Sequence, residues 1–301
     1  MDIVAEILKL KKERNAVILA HNYQRPDVQD IADFVGDSLG LSIQAAETKA
    51  DVIVFCGVLF MAETAKILNP QKTVLLPEKK AGCPMADMIT PKKVRELKKQ
   101  HPNAKVLCYV NSSAEVKAEC DIICTSANAV RIVEQAFKPE DEIIFIPDRF
   151  LASYVQWKTG HKLIIGDGFC PTHSRILPEN IEELKQQHPD AIVLVHPECR
   201  ADVVKMADEV LSTEGMLRYT MQSDKQEFII GTEIGIIHRM ELANPQKKYY
   251  PATDFALCFN MKMTTLEKVL WSLQDMKYEV NVDQIIMDKA RASINRMLEY
   301  R

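Results

Sequence analysis

Cys83, Cys170 and Cys258 stand 87 and 88 residues apart (170 − 83 and 258 − 170). Two further sets of reactive side chains keep the same interval: Ser38, Ser126 and Thr213, and His21, Tyr109 and His196, each set separated by 88 and then 87 residues. A fixed period is the mark of internal duplication. This one is too long for a solenoid repeat, so each unit is a small lobe. Three lobes that each offer one thiol to a common point would build a three-cysteine metal or cluster site. Cys83 and Cys170 precede prolines in loops, where a buried hydrophobe has no obvious use; Cys258 owes its candidacy to the period alone. Cys56, Cys108 and Cys124 lie in apolar runs and read as core, and Cys120 and Cys199 have no place in the repeat.

Three thiolates without a fourth leave one coordination position open. Zinc would fill it with water. A [4Fe–4S] cluster would keep one iron without a protein ligand, free to act as a Lewis acid on a substrate oxygen. Spacing does not choose between them, because His173, three residues after Cys170, would complete a zinc tetrahedron. Tyr23, Tyr109, His21, His196 and Glu198 supply acid–base groups around this centre. Ser38, Ser126, Thr213 and Asn111 supply uncharged donors suited to the carboxylates or phosphates of a small anion. Taken singly, each hydroxyl reads equally well as a helix cap, and Asp148 and Glu233, just past strands, read as caps outright. Two other functions fit these residues: a different dehydratase or lyase with an open iron–sulfur site, and a non-catalytic anion-binding protein with a structural zinc.

The elements that must position these groups alternate. The pattern predicts helices over 2–14, 28–35, 41–49 and 61–68, and strands over 16–20, 52–56 and 73–76. The second unit gives helices over 91–100, 127–137 and 151–158, and strands over 105–110, 121–124, 142–146 and 162–165. The third gives a helix over 178–187 and strands over 191–195, 210–211, 228–230 and 248–250. Residues 264–301 read as mostly helical, opened by a capping-box pattern, Thr264-x-x-Glu267. Such alternation implies parallel sheets covered on both faces, with ligands beyond the carboxyl ends of the strands. The expectation is three α/β lobes around a central cavity, bounded at 1–86, 87–173 and 174–263, with helices of 264–301 packed on the first.

Composition sets the class. With 47% hydrophobic and 27% charged residues, the chain has the balance of a soluble globular protein. Its longest apolar run, Val52–Ala62, falls far short of the ~20 residues of a membrane span. The opening Met1-Asp2-Ile3-Val4-Ala5-Glu6 lacks the pattern of a signal peptide, so a cytoplasmic protein is expected. A net charge of −4 gives no reason to expect nucleic acid. In a reducing compartment eight cysteines do not read as a disulfide framework. The absence of any Cys-x-x-Cys removes zinc-ribbon and ferredoxin spacings. Dinucleotide and P-loop glycine motifs are missing too.

A run of motifs from about residue 17 to 270 closely resembles the quinolinate synthases. They are His21-Asn22-Tyr23-Gln24, Gly36-Asp37-Ser38, Cys83-Pro84-Met85-Ala86, Tyr109-Val110-Asn111-Ser112, Cys124-Thr125-Ser126-Ala127-Asn128 and Pro147-Asp148-Arg149. His196-Pro197-Glu198-Cys199, Gly231-Thr232-Glu233-Ile234-Gly235 and Cys258-Phe259-Asn260-Met261-Lys262 complete the series. The resemblance implies three similar three-layer αβα lobes with parallel sheets, in pseudo-threefold arrangement around a central active site. It implies a [4Fe–4S] cluster held by Cys83, Cys170 and Cys258, with one open iron. The implied reaction condenses iminoaspartate (iminosuccinate) with dihydroxyacetone phosphate to quinolinate, releasing phosphate and two waters, in de novo NAD synthesis. His21, Ser38, Tyr109, Val110, Asn111, Ser126, His196, Pro197, Glu198 and Thr213 would line the substrate pocket. Tyr23 and Glu198 are the expected acid–base residues, with Tyr109 close to the cluster side of the chemistry. Implied partners are the iron–sulfur assembly machinery and the enzyme supplying iminoaspartate, with no nucleic acid or membrane. Some relatives carry a C-terminal Cys-x-x-Cys redox pair; this chain has none, so that form of control is not expected.

Overall fold

The apolar runs of the three units form three separate four-stranded sheets in which neighbouring strands pair in parallel. In the computed structural model, which describes residues 2–300, the first sheet holds β1 (Ala16–His21), β2 (Phe34–Gly36), β3 (Val52–Cys56) and β4 (Thr73–Leu75), ordered β2-β1-β3-β4. The second holds β5 (Lys105–Tyr109), β6 (Ile122–Cys124), β7 (Ile143–Ile146) and β8 (Leu163–Ile165), ordered β6-β5-β7-β8. The third holds β9 (Ile192–Val195), β10 (Glu209–Val210), β11 (Glu227–Gly231) and β12 (Lys248–Pro251), ordered β10-β9-β11-β12. One strand order used three times is the period in structural form. Every residue of β3 and of β7 is buried, as inner strands require when helices cover both faces of a parallel sheet. Each lobe is thus a three-layer αβα unit.

A second repeated device fixes the edge strands. Asp33, Asp121 and Asp208 keep the 88- and 87-residue interval. Their carboxylates accept the backbone N–H of Ile18, Val106 and Val193 at 2.8 Å each. Each aspartate returns its own N–H to the carbonyl of that same residue, at 2.9, 3.0 and 3.0 Å. The reciprocal pair pins the first strand of each lobe to the start of its edge strand. It also corrects the expected helix over 28–35. The helix stops at Pro26–Asp30, and Phe34, Val35 and Gly36 pair with Leu19, Ala20 and His21 as β2.

After the last strand of each sheet the chain passes through Cys83, Cys170 or Cys258 into a short helical turn, Ala86–Met88, His173–Arg175 or Phe259–Lys262. The C-terminal segment is shared between lobes. The helix Leu266–Asp275 packs on the helix Ile3–Glu13 and on β3. The longer helix Gln284–Leu298 lies against β6 and the helices Ala114–Lys117 and Leu59–Leu68, so it bridges the first two lobes. The expected capping box does not form: Thr265, not Thr264, is the N-cap and accepts the N–H of Lys268 at 3.5 Å, Lys268 has no acceptor to return, and Thr264 is buried. Among the described residues no helix is long and apolar enough to cross a membrane.

Candidate active site

Beyond the carboxyl ends of the strands lies a cavity of ≈ 1000 Å³, its open mouth included, and all nine residues of the three periodic sets line it. His21 and Tyr109 end β1 and β5, and His196 follows β9 directly. Duplication could have preserved three structural caps instead, but the caps fall to the neighbours. Asp37 accepts the Gly40 N–H at 2.8 Å and Ser212 accepts the Gly215 N–H at 3.2 Å. Ser38 and Thr213, each the first residue of its helix, are therefore released from capping. Ser126 instead bonds His196 Nε2 at 3.1 Å.

The histidines have fixed polarity. His21 Nδ1 accepts the Tyr23 N–H at 3.1 Å, and His196 Nδ1 accepts the Glu198 N–H at 3.3 Å. Burial drives both imidazoles down to about 3, so both are neutral at neutral pH. A neutral ring that accepts at Nδ1 carries its proton at Nε2. His196 therefore donates to Ser126, which leaves the serine proton for the cavity.

A second chain of bonds starts at Glu198. Its Oε2 lies 2.7 Å from His173 Nδ1 and 3.8 Å from His196 Nδ1. Burial pushes its carboxyl up, but His173 above all outweighs burial and holds it at about 2, ionised. Its Oε1 has no hydrogen-bond partner among the described residues. His173 Nε2 meets Thr232 Oγ1 at 2.8 Å and Tyr23 Oη at 3.4 Å, and those two oxygens are 2.7 Å apart. Burial first, then the Glu198 charge, raise both tyrosines well above the usual phenol range. Both phenols are held protonated.

The three thiols face the same space. Burial pushes Cys83 up to about 12 and raises Cys170 and Cys258 as well, and Cys83 and Cys258 both add to the rise at Cys170. Their loops are tied together: Asn260 Nδ2 donates to Gly82 O at 2.7 Å, joining the Cys258 and Cys83 loops. Glu233 Oε1 accepts the Cys258 N–H at 3.1 Å, and its Oε2 accepts the Gly235 N–H at 2.7 Å. Lys262 Nζ pairs with Glu233 at 2.8 Å and reaches Tyr23 O at 2.5 Å, closing the link to the first lobe.

Residues 5–299 match the family described as quinolinate synthetase A protein. The chain belongs to this family. It is 55% identical to the quinolinate synthase of Dehalococcoides mccartyi (strain CBDB1) over 293 residues, covering 97% of this chain and 96% of that one. It is 53% identical to that of Methanosarcina barkeri (strain Fusaro) over 297 residues, covering 99% and 97%. Identity to that of Alkaliphilus metalliredigens (strain QYMF) is 50% over 301 residues, covering 100% and 99%.

Of the pocket residues that the family resemblance implies, Asn111 and Glu198 join the nine periodic ones in the cavity wall, as does Tyr23, expected as an acid–base residue. Val110 and Pro197 do not. Val110 is buried at the end of β5 with its N–H on Cys124 O at 2.8 Å, and Pro197 is buried behind His196. Asp148 caps the helix Arg149–Thr159 through the N–H groups of Phe150 and Leu151, as its position past a strand suggested. Sequence reasoning quoted Thr232 and Lys262 within motifs but gave them no role, and it missed Arg239; each has a partner in another lobe. It saw Glu233 only as a cap. Asp33, Asp121 and Asp208 did carry a signal, the shared period itself.

Proposed function

We propose that this chain is a quinolinate synthase that condenses iminoaspartate with dihydroxyacetone phosphate, releasing phosphate and two waters, in de novo NAD synthesis. The observation that carries the reading is the meeting of all nine periodic residues in one cavity. Cys83, Cys170 and Cys258 would hold a [4Fe–4S] cluster, and the donor set fits it. Among the described residues the three-ligand group whose atoms all lie within 4.8 Å of one another is Cys170, His173 and Glu198, not the three cysteines. One tetrahedral zinc with bonds of about 2.3 Å would need sulfurs about 3.8 Å apart. A cluster accepts a wider set of thiols, and its iron charge favours thiolates over the thiols that burial alone would leave. When bound it supplies a Lewis-acidic iron with one open position.

The chain's own residues do the rest. Neutral donors, His21 Nε2–H, Ser38, Ser126 and Thr213, would hold the carboxylates and the phosphate in place. Tyr23 and Tyr109, kept as phenols, would give protons, and the ionised Glu198 would take one. Cytoplasmic placement, with partners that assemble iron–sulfur centres and supply iminoaspartate, belongs to the same proposal. A second reading, a single zinc on Cys170, His173 and Glu198, is favoured by their proximity but leaves Cys83 and Cys258 idle.

The test is anaerobic turnover of the iron-loaded protein with both substrates, quantifying quinolinate and phosphate. Equal amounts of the two products are expected, with turnover slowed ~10²–10⁴-fold by Glu198→Gln if it is the base. Iron-loaded protein that forms no quinolinate would overturn the proposal.

A further inference from the structure

Thr213 has its polarity set from another lobe. Asn22, fully buried on the loop after β1, places its Nδ2 2.9 Å from Thr213 Oγ1 in the third lobe. Its Oδ1 accepts from Arg239 Nη1 at 2.8 Å, and the same nitrogen reaches Glu214 Oε2 at 2.7 Å. A guanidinium offers donors and no acceptor, so the Asn22 amide has one allowed orientation: oxygen toward Arg239, NH₂ toward Thr213. The threonine oxygen is thereby made an acceptor, and its proton is left for the cavity that Thr213 lines. Ser126 of the second lobe is treated the same way by His196, which matches His21 rather than Asn22 in the repeat.

We infer that Asn22, locked by Arg239 and Glu214, is a positioning residue that holds the Thr213 hydroxyl as a donor toward an anionic group of the substrate. This rests on the reading of the cavity as a quinolinate-forming site. Asparagine fits because its short amide combines an acceptor for the guanidinium with a donor for the threonine. Aspartate would satisfy Arg239 equally well but would take the threonine proton for itself.

The experiment titrates quinolinate into iron-loaded protein by calorimetry. Asn22→Asp is combined with Glu214→Gln, so that the charge around Arg239 is conserved and the guanidinium keeps a carboxylate partner. This pair and Thr213→Ala should each weaken quinolinate about tenfold. Introduced into the Thr213→Ala background, the pair should weaken it no further, because it acts only through that hydroxyl. A merely structural role would make the losses add, and additive losses, or wild-type affinity in the Asn22→Asp pair, would overturn the inference. Should that pair not fold, Asn22→Leu, which removes the donor to Thr213 and leaves Arg239 on Glu214, gives the same cycle with the same two outcomes. A wild-type protein that neither binds nor forms quinolinate would instead overturn the functional reading, and this inference with it.

Discussion

Mild acid should weaken the fold through His21 and His196. Burial lowers each imidazole from 6.5 to about 3, so between those values the unfolded chain takes a proton that the folded chain refuses. The contribution is fully present above 6.5 and is lost as the pH falls toward 3. The slope is about 1.4 kcal/mol per pH unit for each ring, so one unit below 6.5 the two together cost about 3 kcal/mol. Carboxyls that burial raises, such as Glu63 and Glu233, act with the opposite sign, because the folded state protonates them first. A difference measurement removes them. Urea unfolding of the wild type and of His196→Gln would be compared one unit above and one unit below 6.5. The wild type should lose about 1.4 kcal/mol more than the variant over that interval. Equal losses in the two proteins would refute the reasoning, since the folded ring would then take up its proton as easily as a free one.

Other perturbations test how the site is held. Glu233→Gln removes the carboxylate from Lys262 and an acceptor from the Cys258 loop. It should cost about 3 kcal/mol and speed iron loss to a chelator; unchanged iron release would show that the loop is held by other contacts. Asp33→Ala, Asp121→Ala and Asp208→Ala should each cost about 1–3 kcal/mol in urea unfolding, since each orphans a backbone N–H. A loss confined to one lobe would contradict the idea of a repeated anchor. Cys56→Ala, inside β3 and fully buried, should cost about 1 kcal/mol of packing and leave the iron content intact. Loss of iron from that variant would place a ligand outside the periodic set.

The period made the lobes and the cavity residues legible, because duplication preserves intervals whatever happens between them. The long apolar runs were equally plain: β3, β7 and β9 are inner strands that must be apolar on both faces. The edge strand β2 was not. It has three residues, and Val28, Ile31 and Val35 fall at spacings that a helix would also give. What decides against the helix is the carboxylate of Asp33 on the Ile18 N–H, a contact between elements that periodicity cannot report. The same limit hid the supporting residues of the site. Lys262 meets Tyr23 across 239 residues and Arg239 meets Asn22 across 217, and no local pattern links such pairs. The free hydroxyls of Ser38 and Thr213 were ambiguous for a simpler reason. Asp37 and Ser212, one residue earlier, are equally good caps, and only the bonds show which residue of each pair is used.

The central claim is that three thiols from three lobes hold one iron–sulfur cluster. The most direct measurement is the iron, sulfide and zinc content of protein isolated without oxygen, for the wild type and for Cys83→Ala, Cys170→Ala and Cys258→Ala. A brown wild type with about four irons and four sulfides, and loss of both in every variant, is the expected result. A colourless wild type holding zinc even after iron and sulfide are supplied, or a Cys258→Ala variant that keeps its full iron, would contradict it.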